Sequence, residues 1–165
     1  MSQTFAPSGF KVDAILCDSV ATADGKLYIQ GGGWNILPAQ QFPYAKDRIG
    51  IASVISVPYT ATNAMHELNI WLQDLDGKRY PLGVLQSADG TSQAQMSLTA
   101  KFNTGRPPIL QAGEPQSVPF AINLDNMLFE VPGTYCFVMT IDTEELARLS
   151  FRVVTPQMIM IGGGM

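Results

Sequence analysis

The chain has 165 residues, of which 46% are hydrophobic and only 15% charged, with a formal net charge of −4. An acidic balance without a basic stripe weighs against a phosphate-binding face, so no nucleic-acid partner is expected. The apolar runs are strand-length, well short of the roughly 18 residues a membrane-crossing helix needs, so no membrane partner is expected.

Met1 to Phe10 reads as an irregular arm holding Phe5 and Pro7. It lacks a charged segment followed by a long apolar one, so no signal peptide is read there. The expected location is the cytoplasm or a virion assembled there. Lys11 to Val20 reads as the first strand. Asp24-Gly25 then marks a tight turn, because this pair favours the positive φ values such a turn needs. Lys26 to Leu37 reads as a second strand interrupted by Gly31-Gly32-Gly33 and resumed by Trp34, and Pro38 to Lys46 as a loop. Arg48 to Val57 alternates, with Ile49, Ile51, Ile55 and Val57 on one face. Met65 to Leu75 alternates again, which puts Leu68, Ile70 and Leu72 inward and Trp71 on the polar face. Asp74 to Gly77 is a hairpin turn into Arg79 to Leu85.

Thr91 to Phe102 is the cleanest alternation, with Ala94, Met96, Leu98, Ala100 and Phe102 expected inward. A Gly- and Pro-rich connection follows. Val118, Phe120, Ile122 and Leu124 mark the next inward face. Pro119 suggests an edge strand or a bulge, since proline cannot donate to a ladder. Pro132-Gly133 feeds a strand carrying Tyr135, Phe137, Met139 and Ile141. Ala147, Leu149, Phe151 and Val153 give the last one, with room for one helical turn within Glu144 to Leu149.

These segments predict an all-β, two-layer antiparallel sandwich of about nine strands, immunoglobulin-like or related. The expected organisation is an arm over 1–10, a sandwich over 11–155 and an apolar arm over 156–165.

The run Ile15-Leu16-Cys17-Asp18, with Gly25-Lys26-Leu27-Tyr28-Ile29-Gln30 and the glycines up to Trp34, resembles the signature of a family of small actinobacterial and actinophage proteins of unknown function. Val118 to Asn123, Pro132 to Tyr135, Ile141-Asp142 and Leu149 to Val153 extend the resemblance, in order, over residues 12 to 154. The resemblance implies an immunoglobulin-like or related sandwich and brings no catalytic residue with it.

The chemistry-bearing residues are few. His66 is the only histidine, and nothing in the sequence sets a nucleophile beside it. Cys17 and Cys136 read as two thiols rather than a disulfide framework, although a bridge between sheets stays open. Asp74-x-Asp76-Gly77 reads as hairpin chemistry before it reads as a calcium site. The glycines lead into a strand, not a helix, which argues against a phosphate loop. No catalytic residue, metal or cofactor is therefore assigned, and no enzyme is expected.

Gly31, Gly32, Gly33, Trp34, Pro132, Gly133 and Tyr135 read as structural. Tyr135 matches the tyrosine corner of sandwich folds. Gly32 is expected to reject valine because of a positive φ or a close backbone. Trp71, Phe5, Met158, Ile159, Met160 and Ile161 are the candidate contact residues. The reading is a structural or interaction protein, a phage virion accessory such as a minor capsid or decoration protein. Its expected partners are itself or a capsid or virion protein. The alternative is a cytoplasmic bacterial module binding a small molecule, peptide or carbohydrate.

Overall fold

A computed structural model describes residues 8–86 and 88–157. Phe5, Met158, Ile159, Met160 and Ile161 lie outside the described residues. Thirteen strands occur among those described, against about nine expected. They are β1 (Lys11–Cys17), β2 (Ser19–Ala23), β3 (Lys26–Gln30), β4 (Ile36–Pro38), β5 (Tyr44–Val57), β6 (Met65–Asp74), β7 (Arg79–Tyr80), β8 (Val84–Gln86), β9 (Ser92–Ala94), β10 (Leu98–Asn103), β11 (Gln116–Phe129), β12 (Gly133–Ile141) and β13 (Glu144–Val154), with a 3₁₀ turn at Tyr59–Ala61.

The chain is all-β. A three-stranded sheet of order β1-β5-β11 packs on a curled six-stranded sheet of order β10-β6-β12-β13-β4, to which β7 adds beside β6. This is the immunoglobulin-like arrangement. β1, β5 and β11 take the first-sheet positions, and β6, β12 and β13 the C, F and G positions. One pairing departs from the antiparallel expectation, because β4 runs parallel to β13.

The two inner faces share one core. Ile49, Ile51, Ile55 and Val57 on β5 meet Leu68, Ile70 and Leu72 on β6 and Phe137 and Met139 on β12, all essentially inaccessible to water. β11 is an edge strand, where Pro119 costs no ladder bond. Its inward set changes parity at Asn126 (φ 55°), so Met127 and Phe129 follow Ile122 and Leu124 into the core.

Several expectations are corrected. Phe10 is not part of a free arm but is buried in the core. The first strand breaks at Asp18 into β1 and β2, and the second splits into β3 and β4. β5 begins at Tyr44, inside the expected loop. The span Glu144 to Leu149 is strand, not a helical turn. Ala94 and Met96 do not face inward; Met96 is 41% exposed. The alternation runs on in sequence, but β10 pairs with β6 only from Leu98. Upstream, Gln95 bonds instead to the backbone of Leu82 and Gly83.

Candidate interaction surface

The three-stranded sheet has an unusual outer face. Its strands carry Ile15 and Cys17 on β1, Gly50, Ala52 and Val54 on β5, and Pro119, Ala121 and Asn123 on β11. Small and apolar residues there would be exposed on a bare sandwich. The β2–β3 hairpin folds over them as a partial roof. Cys17, Val20 and Ala52 form a second small core with Leu27 and Ala121. Burial pushes the Cys17 thiol up from its ordinary value, with the nearby Asp18 charge acting in the same direction. Cys17 and Cys136 are both free and lie on the outer faces of opposite sheets, which removes the bridge.

Three devices hold the roof in place. Asp24 and Gly25 both take positive φ (51° and 68°), making the two-residue turn read from the sequence. Asn123 reaches from β11 to Val20 and makes both bonds a backbone neighbour would make. Its Nδ2 donates to Val20 O (2.8 Å), and its Oδ1 accepts from Val20 N (3.1 Å). Gly50 leaves room for Cys17, since a Cβ there would stand 2.6 Å from Cys17 Sγ. Neither Asn123 nor Gly50 was singled out from the sequence. The signal was the pairing of small residues on the polar-parity positions of β5 and β11.

The triple glycine is the seam between roof and sheets. Gly31 (φ 62°) and Gly33 (φ 92°) take left-handed backbone, whereas Gly32 does not. A Cβ at Gly31 would fall on the Asp18 carboxyl group, 2.6 Å from its carbon. A Cβ at Gly32 would press on the side-chain methyls Ile15 Cδ1 and Ile29 Cγ2, each at 3.0 Å, with Cys17 Cβ at an ordinary 3.7 Å. The expected positive φ at Gly32 is thus corrected: the conformational demand sits on its neighbours. Beyond the seam the chain crosses between sheets. Gly33 N–H donates to Leu16 O (2.8 Å), and Asn35 O accepts from Arg152 N–H (2.9 Å). Trp34 is half-buried between them and packs edge-on against Phe151, with ring centroids 6.0 Å apart.

The roof stops short. Ile15 (41% exposed) and Ile29 (43% exposed) stay open to water, with Tyr28 (55% exposed) on the hairpin's other face. Ile15, Leu27, Ile29, Ala52 and Val54 line an open groove of about 330 Å³ between hairpin and sheet.

The outer face of the six-stranded sheet is polar and internally bonded. Trp71 is half-buried there. Its Nε1–H donates to Gln73 Oε1 (2.7 Å), and the Arg79 guanidinium covers its ring at 4.2 Å. Thr99 Oγ1 donates to Asn69 Oδ1 (2.6 Å), and Asn69 Nδ2 donates to Glu67 Oε1 (2.9 Å). Arg148 pairs with Glu145.

Tyr135 is buried, and its hydroxyl donates to Val131 O (2.8 Å) across Pro132 and Gly133, as the corner reading expects. At the β6–β7 turn, Asp74 accepts from the N–H groups of Asp76 (2.9 Å) and Lys78 (3.0 Å) and from the Tyr80 hydroxyl (2.9 Å). That bond, reinforced by burial, pushes the Tyr80 phenol up to about 12. The carboxylate is thereby spent on the turn. A cleft of about 310 Å³ lies nearby, walled by Tyr80, Pro81 and Leu128 with Lys78 and Glu130 at its rim.

His66 is 8% exposed, and both ring nitrogens are engaged, with Asp142 Oδ2 (2.5 Å) and Ala61 O (2.6 Å). It sits beside a carboxylate. Among the described residues, no group of three His, Cys, Asp or Glu side chains is placed to hold a metal ion. No helix among them is long and apolar enough to cross a membrane.

The molecule is thus an immunoglobulin-like sandwich with one sheet face roofed by its own hairpin. The chain belongs to a family of unknown function, DUF6941, which matches residues 12–154, the span that carries the resemblance noted above. No curated protein matches it. Among solved structures, the alkylpurine DNA glycosylase AlkC of Pseudomonas fluorescens, bound to DNA containing an abasic-site analogue, is similar at 10% identity and a TM-score of 0.41. The likeness covers 88% of this chain but 30% of that one, and it bears on neither chemistry nor partner.

Proposed function

We propose that this protein is a non-enzymatic interaction module that docks on protein through the open groove beside its β2–β3 hairpin. The observation that carries this reading is the unfinished roof. Ile15 and Ile29 converge over Gly32 yet remain open to water, on a sheet face otherwise built to be covered. On the opposite face of the same hairpin, exposed Tyr28 adds an aromatic residue of the kind enriched at interfaces. The commitment of both His66 nitrogens supports a binding role over acid–base catalysis. The setting we infer is a larger particle, with the protein acting as a phage minor capsid or decoration protein. A chain only 15% charged fits a surface that is partly covered in use.

The test compares the full chain with the double variant Ile15→Glu/Ile29→Glu by light scattering and native mass measurement, alone and with candidate neighbouring gene products. Self-association or capsid-protein binding lost in the variant supports the reading. An unassociated monomer whose gene lies away from capsid and portal genes overturns it. A second reading, a module for a small ligand, is favoured by the Tyr80–Leu128 cleft. It predicts ligand binding that Leu128→Glu abolishes and the groove variant leaves intact.

A further inference from the structure

His66 joins segments distant in sequence at one end of the sandwich. Its Nδ1 faces the Asp142 carboxylate in the β12–β13 turn, and its Nε2 faces the Ala61 carbonyl in the 3₁₀ turn. Phe10 packs edge-on against its ring at 4.9 Å, and Phe102 of β10 lies at 5.6 Å. A peptide carbonyl can only accept a hydrogen bond, and so can an ionised carboxylate. Two acceptors on two nitrogens require a proton on each. Both contacts are satisfied together only by an imidazolium.

We propose that His66 is a pH-sensitive latch: as an imidazolium it clamps Phe10 and the 59–62 turn to the end of the sandwich, and loss of one proton releases them. A neutral ring has one donor and one lone pair. Whichever nitrogen keeps the proton, the other turns a lone pair toward an oxygen lone pair at hydrogen-bonding distance. The ring must then swing, and Phe10 loses the surface it packs on.

The surrounding charges leave Asp142 as the partner that matters. Asp142 Oδ1 also accepts the Glu67 backbone N–H (2.9 Å), which fixes the carboxylate. Glu67 and Lys101 face each other on the outward sides of β6 and β10. Glu144 is held by Ser8, and Arg106 by Thr62 and Tyr59 O. Lys11 follows Phe10 on β1 and is exposed.

Burial alone would push the imidazolium down, but the bonds to Asp142 and Ala61 outweigh it and the net direction is up. Burial likewise opposes ionisation of Asp142, yet the bonds from His66 and Glu67 N–H hold it below its ordinary value. With the histidine raised, its stabilising contribution is complete below the unfolded value and is lost as pH rises through the folded one. With the aspartate lowered, its contribution is lost as pH falls through the depressed value. The latch is closed below the raised His66 value and opens as pH rises through it.

The test is nitrogen NMR of the full chain's single histidine from about pH 5.5 to about pH 9.5. Both ring nitrogens should be protonated below a midpoint lying above about 6.5. Through that midpoint, contacts between the Phe10 and His66 rings should vanish. Protection of the Thr62 and Asn63 amides, corrected for intrinsic exchange, should fall about tenfold, while the Phe137 amide keeps its protection. Asp142→Asn, which keeps an acceptor and removes the charge, should lower the midpoint by about one unit. A midpoint below about 6.5, or a titration that leaves Thr62, Asn63 and the Phe10 contacts unchanged, overturns the proposal. The outcome is independent of whether the groove binds a partner.

Discussion

The two sheets solve the same problem in opposite ways. Each has one face in the shared core and a second face that needs a partner. The six-stranded sheet satisfies its outer face within its own plane. Trp71 is bonded by Gln73 and capped by Arg79, and Thr99, Asn69 and Glu67 form a chain of hydrogen bonds. The three-stranded sheet carries Cys17, Gly50, Ala52 and Ala121 outward and imports a roof, the β2–β3 hairpin. A polar outer face needs only water and neighbours. An apolar one calls for a further layer, and this layer stops before Ile15 and Ile29 are covered.

Substitutions should separate the two strategies. Gly31→Val strikes the roof hardest, because it combines left-handed backbone with the space held by Asp18. A loss of about 3 kcal/mol or more is expected in urea unfolding. Gly32→Ala, which presses only on movable methyls, should cost about 1 kcal/mol. Equal losses at the two positions would show that the seam has no conformational demand.

Gly50→Ala should cost about 2 kcal/mol through its collision with Cys17 Sγ. Adding Cys17→Ala should recover about 1 kcal/mol relative to the sum of the single changes. Strict additivity would mean the two residues do not touch.

Asn123→Ala should cost about 2 kcal/mol by stranding Val20's backbone groups. It should raise hydrogen exchange in β2 and β3 while leaving β12 and β13 protected. On the other sheet, Arg79→Ala removes only a surface stacking contact, and about 0.5 kcal/mol is expected. A larger loss there would make the polar face as dependent on its cover as the apolar one.

Much of this was legible in the sequence, because period-two alternation reports one face at a time. The inward residues of β5, β6 and β12 fall where alternation puts them, as do the Asp24-Gly25 turn and the Tyr135 corner. The roof was not legible. Val20 and Leu27 look like ordinary strand residues until the break at Asp18 bends the hairpin over the neighbouring sheet. Asn123 could not be found either, since its partner lies 103 residues away. The Thr91 to Phe102 alternation misled for a related reason. Periodicity records which residues share a side, not whether another strand lies beside them, and β10 finds β6 only at Leu98. For the same reason the sequence set no partner beside His66, with Asp142 hidden 76 positions away.

The Gly33-Trp34-Asn35 crossing has a mechanical consequence. Its first residue is bonded to β1 and its last to β13, so the chain works as a brace pinned to both layers. β4, which follows it, runs parallel to β13. A pull on the C-terminal end of β13, resisted at the N-terminal side of β4, loads that ladder along its length. Its bonds must then fail together in shear rather than peel apart one by one. A domain tethered by its C-terminal end would carry load through this brace together with the longer β12–β13 ladder.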